Sequence, residues 1–206
     1  MISLQSILER RSQPLMTGEI DKHALHQILC CALTAPDHRR LRPWRYILCN
    51  PEHKEALIQL IASSLPATSE DLVANQLEQV RKKLSFAPHI VICVLDINRE
   101  SNVPEVEQVL SAGAAIQNMI IAAESLNYRC YWKTGAWAYD LRLRENLNLG
   151  ADTLITAFLG FGRAADSRGV AKSAERPAYA DHFISVDQLM TPTHLLEVLE
   201  NRTSQL

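Results

Sequence analysis

Ala35-Pro36-Asp37-His38-Arg39-Arg40-Leu41-Arg42-Pro43-Trp44 stands between an apolar helical segment and an apolar strand, and its reading sets the order of the elements around it. Proline fixes φ and disfavours helix in the residue before it. Pro36 therefore ends the preceding helix, and Pro43 forces extended backbone into Trp44. Between them lies a short loop carrying His38, Arg39, Arg40 and Arg42. Loops held at both ends by a rigid scaffold are where binding residues concentrate. A solvated connection that happens to carry arginines is the plainer reading of the same residues.

Upstream, Leu4, Ile7 and Leu8 recur at i, i+3, i+4 and predict an amphipathic helix within residues 2–11. It breaks at Arg11-Ser12-Gln13-Pro14. Two arginines followed by a hydroxyl suit a phosphate through charge-assisted hydrogen bonds. They equally suit cations complementing a helix C-terminus. Thr17 is the expected cap of the next helix, with Glu19 in its first turn. Leu25, Ile28, Leu29, Ala32 and Leu33 form its apolar stripe, and His23 and His26 lie off it.

Downstream, Trp44 to Cys49 reads as a strand. Pro51 opens a helix whose expected buried face is Ala56, Leu57, Leu60 and Ile61. A charged amphipathic segment, residues 69–84, reads as a covering helix. Residues 88–95 form a nearly continuous β-prone run, which suits a strand buried on both faces. Pro104 starts the longest helix, to about Leu126, with small residues from Ser111 to Ala115 that let another backbone approach. That approach is either core packing or contact across a dimer. A short strand from Cys130 leads to Lys133-Thr134-Gly135, and Tyr139 to Leu147 reads as a short basic helix. Residues 153–159 form the third clear strand, running into Gly160-Phe161-Gly162, where glycine permits unusual backbone angles. Residues 163–181 read as a polar loop, and 185–189 and 192–201 as short terminal helices.

The 206 residues suit one domain, or one domain with a tail. A formal net charge of −2 argues against nucleic-acid binding through bulk positive charge. The five cysteines fall in apolar segments without CxxC or histidine clusters, so they read as buried free thiols of a reducing compartment. No secretory leader or membrane span is recognised, and the expected location is the cytoplasm. Phosphate-loop, dinucleotide-loop and nucleophile-elbow signatures are absent from the sequence, as is a metal-ligand constellation. The element pattern predicts a small mixed β-sheet flanked by helices.

Five motifs in order carry a resemblance: Glu9-Arg10-Arg11-Ser12; Ala35-Pro36-Asp37-His38 with Arg42-Pro43-Trp44; Val103-Pro104 with Glu107-Gln108 and Ser111-Ala112-Gly113; Tyr131-Trp132-Lys133-Thr134-Gly135; and Phe158-Leu159-Gly160-Phe161-Gly162. From about residue 2 to residue 185 the chain resembles the FMN-dependent nitroreductase family, in its YdjA-like branch. The resemblance implies an α+β, nitroreductase-like fold over residues 1–206, with about 186–206 as a C-terminal extension. It implies a homodimer whose FMN sites are shared between subunits. Arg10, Arg11 and Ser12 would hold the phosphate and ribityl chain. Thr34, Pro36 and His38 would reach the flavin from the partner subunit, and Trp132, Lys133 and Thr134 would line its other side. The helix around Gly113 would form the dimer core, and Ala122 to Asn127 would meet the nicotinamide nucleotide.

The implied activity is NAD(P)H-dependent reduction of a small electrophilic acceptor, ping-pong through flavin N5. The cofactor then carries the chemistry and no side chain is named as catalytic. His38, Arg39 and Arg42 are candidates to stabilise the reduced flavin, and Trp44 or Trp132 to stack on it, with core packing open for both tryptophans. Two departures stand out: Arg42 occupies the family's glutamine position, and Gly162-Arg163-Ala164 replaces Gly-Thr-Pro, with Arg163 a candidate second phosphate contact. Two rival readings are a flavin-binding protein without turnover and a helical interaction module.

Overall fold

The computed structural model describes residues 4–66, 69–164, 178, 182, 183 and 185. Contacts divide the chain into two compact units, Met1–Ala171 and Lys172–Leu206, and every element below lies in the first. The order is α1 (Leu4–Glu9), β1 (Met16–Gly18), α2 (Lys22–Ala32), β2 (Trp44–Cys49), α3 (Lys54–Ser64), α4 (Glu70–Leu84), β3 (His89–Asp96), α5 (Glu105–Ser125), β4 (Arg129–Lys133), α6 (Leu141–Asn146) and β5 (Thr153–Ala164). The α+β class is as expected. The helices predicted over 185–189 and 192–201 lie, Ser185 aside, outside the described residues.

Every described strand pairing is antiparallel, which corrects the expected mixed sheet. The connections explain why. One long helix, α5, carries the chain from β3 to β4, so these two strands run the same way, as a crossover requires. β5 then inserts between them, pairing β3 through His89↔Phe161 and β4 through Cys130↔Phe161. Two helices, α3 and α4, join β2 to β3, carry the chain out and back, and leave those strands antiparallel.

β3 is buried along nearly its whole length, as its apolar run predicts. Alternation sends Val91, Cys93 and Leu95 to the core with α2 and α5, and Ile90, Ile92 and Val94 to the core with α3 and α4. The buried face of α3 is Leu57, Ile58, Ile61, Ala62 and Ser64, whereas Ala56 is exposed and Leu60 half-buried. The buried face is thus shifted by one residue from the expected one, in a helix that begins at Lys54 after a 3-10 turn over Pro51–His53. α4 is the covering helix foreseen: only Val80 and Leu84 are buried, and Ser69 caps it by accepting the Leu72 N–H.

Two further expectations change. Thr17 lies in β1, and α2 is capped by Asp21, whose carboxylate accepts the N–H groups of His23 and Ala24 at 2.9 and 3.1 Å. Met16 is drawn into the sheet instead, its N–H donating to the Phe86 carbonyl at 2.8 Å. Gly160 and Gly162 keep ordinary strand backbone; among the described glycines only Gly135 has a positive φ, at 75°. They are glycine for want of room. A Cβ on Gly160 would stand 2.1 Å from the Phe86 ring, and one on Gly162 would stand 2.8 Å from Pro88.

His89 is buried at the start of β3, where its Nε2 accepts the Ile20 N–H at 3.3 Å. Its Nδ1 has no partner among the described residues, so the ring is neutral with its proton there. Burial pushes its pKa below 6.5. Unfolded chains take up a proton below that pH which folded His89 resists. Its contribution to stability is therefore full above pH about 6.5 and declines as the pH falls toward the folded value. His89→Gln, whose amide oxygen can accept the same N–H, is expected to narrow the gap between urea midpoints at pH about 7.5 and about 5.5. An unchanged gap would assign the acid sensitivity to other groups.

Candidate functional site

The loop after α2 is built by Asp37 as much as by its two prolines. The Asp37 carboxylate accepts the Arg42 N–H at 2.7 Å, and its carbonyl accepts the Arg40 N–H at 3.3 Å. Closed this way, the loop holds Arg39, Arg40 and Arg42 at φ of 57, 56 and 50°. Each left-handed non-glycine residue costs roughly 1–2 kcal/mol, so the ring of hydrogen bonds maintains a strained turn. The three guanidinium groups are exposed and join none of the ion pairs among the described residues.

Beside them, His38 Nδ1 meets the Glu107 carboxylate of α5 at 2.6 Å. Pro36, Asp37 and His38 share a cavity of about 340 Å³ with Glu107, Leu110, Ser111 and Ala114. Thr34 is engaged just before, its hydroxyl donating to the Cys31 carbonyl at 2.8 Å and accepting from Asn118 Nδ2 at 3.2 Å. Trp44 is a core residue. Its Nε1 donates to Ser111 Oγ at 3.0 Å, and its ring stacks on Tyr46 with centroids 6.3 Å apart.

A second group gathers at the other end of α5. Arg11 Nη1 donates to the Leu8 and Arg10 carbonyls at 3.3 and 2.9 Å, so this arginine does complement the end of α1. The Gln13 N–H bonds the Cys130 carbonyl at 3.3 Å, laying residues 10–13 along the start of β4. Exposed Ser12 lies in that run. Arg10 acts electrostatically on both Glu124 and Cys130. Arg129 pairs with Glu124 at 3.2 Å. Arg163 donates to the Tyr128 hydroxyl at 3.1 Å with its guanidinium 4.7 Å from that ring centroid. Burial raises the Glu124 carboxyl pKa, against the pull of Arg129 and Arg10. The result is a cationic corner in which Arg10 and Arg129 act on one half-buried acid and Arg163 stands on the neighbouring Tyr128. Glu124 and Tyr128 were missed in the sequence because only the fold brings the end of α5 against residues 10–13. The place of Glu124 in the suspected Ala122 to Asn127 region, with Tyr128 just beyond it, was the available signal.

At the far end of β4, Trp132 is half-exposed while Lys133 faces the opposite core. Lys133, Thr134, Gly135, Ala136 and Trp137 line a cavity of about 280 Å³.

These groups do not all meet within one chain. Glu107, which holds His38, and Glu124, beside Arg10, are separated along α5 by about 25 Å at 1.5 Å per residue. Arg10–Ser12 and Trp132–Thr134 lie at the two ends of one strand; Thr34, Pro36 and His38 lie elsewhere.

The Nitroreductase family model matches residues 7–163. This chain belongs to the Nitroreductase family. Among relatives of this nitroreductase, Escherichia coli K12 "Putative NAD(P)H nitroreductase YdjA" is 29% identical over 167 residues, covering 79% of this chain and 88% of that protein. Bacillus subtilis YfhC, with the same style of name, is 23% identical, covering 82% and 85%. A nitroreductase-like protein of Bacillus cereus superposes with a TM-score of 0.76 at 21% identity, covering 88% of this chain and 94% of its own. A Desulfovibrio desulfuricans structure in complex with FMN gives a TM-score of 0.67 at 25% identity, covering 88% and 95%. No described helix of this nitroreductase is long and apolar enough to cross a membrane. Its five cysteines are free thiols, but Cys30 is exposed rather than buried, because it sits off the apolar face of α2.

Proposed function

We propose that this nitroreductase is an FMN-dependent NAD(P)H oxidoreductase that works as a homodimer and passes electrons to a small electrophilic acceptor in a ping-pong cycle. The carrying observation is the separation along α5 of Pro36 and His38, beside Glu107, from Arg10, which acts on Glu124. A site that uses both groups needs two copies of the chain.

The surface supports a second copy. Val106, Val109 and Leu110 are exposed on α5, and a Cβ on Gly113 would meet nothing within 4 Å among the described residues. Leu4, Ile7 and Leu8, the apolar positions of the amphipathic helix α1, are exposed as well. Both stripes follow helical spacing: on α5 this is a second apolar face beside the one packed in the core, and on α1 it is the apolar face itself. A contact across these faces buries them.

The cationic corner fits the phosphate of FMN. Arg10 and Arg129 act on one acid whose burial opposes its ionisation, and Arg163 stands on the neighbouring Tyr128 ring, so the corner offers guanidinium donors to a dianion. In this reading Arg10, Arg11 and Ser12 hold the phosphate and ribityl chain, with Arg163 contributing from the ring of Tyr128. Trp132, Lys133 and Thr134 border the ring system. Thr34, Pro36 and His38 of the partner subunit close the other side, with Glu107 fixing the orientation of His38. FMN in the Desulfovibrio relative and the nucleotide named for the Escherichia coli one support the same reading. Bound FMN supplies a two-electron carrier that no side chain provides. The chain binds it, orients it and excludes water.

Purified protein incubated with FMN is expected to retain a yellow flavin spectrum that one of NADH and NADPH bleaches under anaerobic conditions. Flavin that dithionite reduces but neither nucleotide does would make this a flavin-binding protein without turnover. A protein that takes up no flavin would overturn the reading.

A further inference from the structure

The cavity at the end of β4 has a composition that holding a cofactor does not explain. Its apolar wall is Leu84, Phe86, Trp137 and Phe158. Trp137 meets Phe158 edge to face, with centroids 6.2 Å apart and planes at 69°. Phe86 does the same with Tyr131 at 6.0 Å. Two ammonium groups belong to the same lining. Lys83 Nζ stands 5.4 Å from the Trp137 centroid, and Lys133 Nζ 4.1 Å from that of Phe86.

Neither lysine joins an ion pair among the described residues. The hydrogen bond of Lys133 goes instead to the Lys83 carbonyl at 3.2 Å. Surface lysines ordinarily extend into water or meet an acid; here both lie on rings bordering an apolar hole. Burial and the neighbouring Lys83 lower the pKa of Lys133, the direction expected of an ammonium held beside another cation without an acid. Low-dielectric walls focus the field of the two cations onto the cavity. A dry cavity of about 150 Å³ accepts benzene. The volume of about 280 Å³ therefore takes one substituted ring.

We propose that this cavity is the acceptor subsite and selects aromatic anions, a single ring bearing a carboxylate. The ring lies among Phe86, Trp137 and Phe158, and the carboxylate lies between Lys83 and Lys133. The acceptor role rests on the functional reading above, because Lys133 and Thr134 belong to both. For a nitro-bearing ligand the overall step is ArNO2 + NAD(P)H + H+ → ArNO + NAD(P)+ + H2O. One N–O bond breaks, its oxygen leaves as water, and the nucleotide loses two electrons.

Calorimetric titration of the FMN-loaded protein with benzoate, and with uncharged benzamide, reads the cavity without turnover. Steady-state kinetics with 4-nitrobenzoate and 4-nitrobenzamide read its role. Benzoate is expected to bind at least about tenfold tighter than benzamide, and kcat/KM to favour 4-nitrobenzoate by about tenfold, the worth of one lost charge-assisted contact. Lys83→Met is expected to erase both preferences while the bound flavin spectrum stays unchanged. Equal affinity for benzoate and benzamide overturns the proposal, as does a preference that survives Lys83→Met. Loss of FMN from Lys83→Met also overturns it, since the cavity then belongs to the cofactor. If the wild-type protein takes up no FMN, the functional reading falls, and titration of the flavin-free protein with benzoate still decides whether the cavity selects anions.

Discussion

Gly160→Ala is expected to destabilise the protein by about 3 kcal/mol or more, a large fraction of the stability of an ordinary domain. The added methyl would lie 2.1 Å from the Phe86 ring and 2.7 Å from the Ala87 Cβ. Neither neighbour can withdraw. Phe86 is buried in the core beneath α3 and α4, and Gly160 pairs with both Ile90 and Tyr131, so β5 is held from two sides. Urea unfolding measures the loss. A second substitution, Phe86→Leu, should recover part of it, and the double-mutant cycle would show favourable coupling. A Gly160→Ala midpoint equal to wild type would mean that this part of the sheet is far less closely packed than it stands.

The opposite outcome is expected on α5. Gly113→Ala meets nothing within 4 Å among the described residues, and alanine is the better helix former by about 1 kcal/mol. The isolated chain should therefore tolerate or gain from the change. Gly113→Leu places a branched side chain where the proposed second copy must approach. We expect it to remain folded by circular dichroism, to sediment as a monomer and to lose bound FMN together with NAD(P)H-dependent turnover. A Gly113→Leu protein that remains dimeric and yellow would move the subunit contact away from this face and remove the carrying argument for a shared site. The two glycines separate the consequences: one tests the fold, the other the assembly.

His38 and the arginines beside it show why the loop was legible as a special place but its construction was not. Two prolines and a run of cations mark the loop in any reading of the chain. The carboxylate of Asp37 reaching the Arg42 N–H, five residues on, depends on the left-handed turns between them. None of those residues is glycine, so composition gives no sign of them. Sequence spacing likewise could not bring His38 to Glu107, 69 positions away. That contact exists because α2 packs against α5.

The sequence by itself determined the elements whose signals are local. Pro36 and Pro43 bound the loop, Pro104 starts the long helix, and the unbroken apolar run of β3 required burial on both faces. It also determined the order of the family motifs. Tertiary structure decided the rest. The sheet is antiparallel in every described pairing because β5 inserts between β3 and β4, a choice made by strands far apart in the chain. Gly160 and Gly162 are glycine because Phe86, Ala87, Pro88 and Met16 crowd them, which no local angle preference reveals. Thr17 does not cap α2 because Met16 bonds the Phe86 carbonyl and draws the segment into the sheet. Lys83 and Lys133 border one cavity because α4 ends beside β4, 50 residues later. Local preferences are written in short windows of sequence, whereas close approach and charge juxtaposition arise only when distant segments share a core.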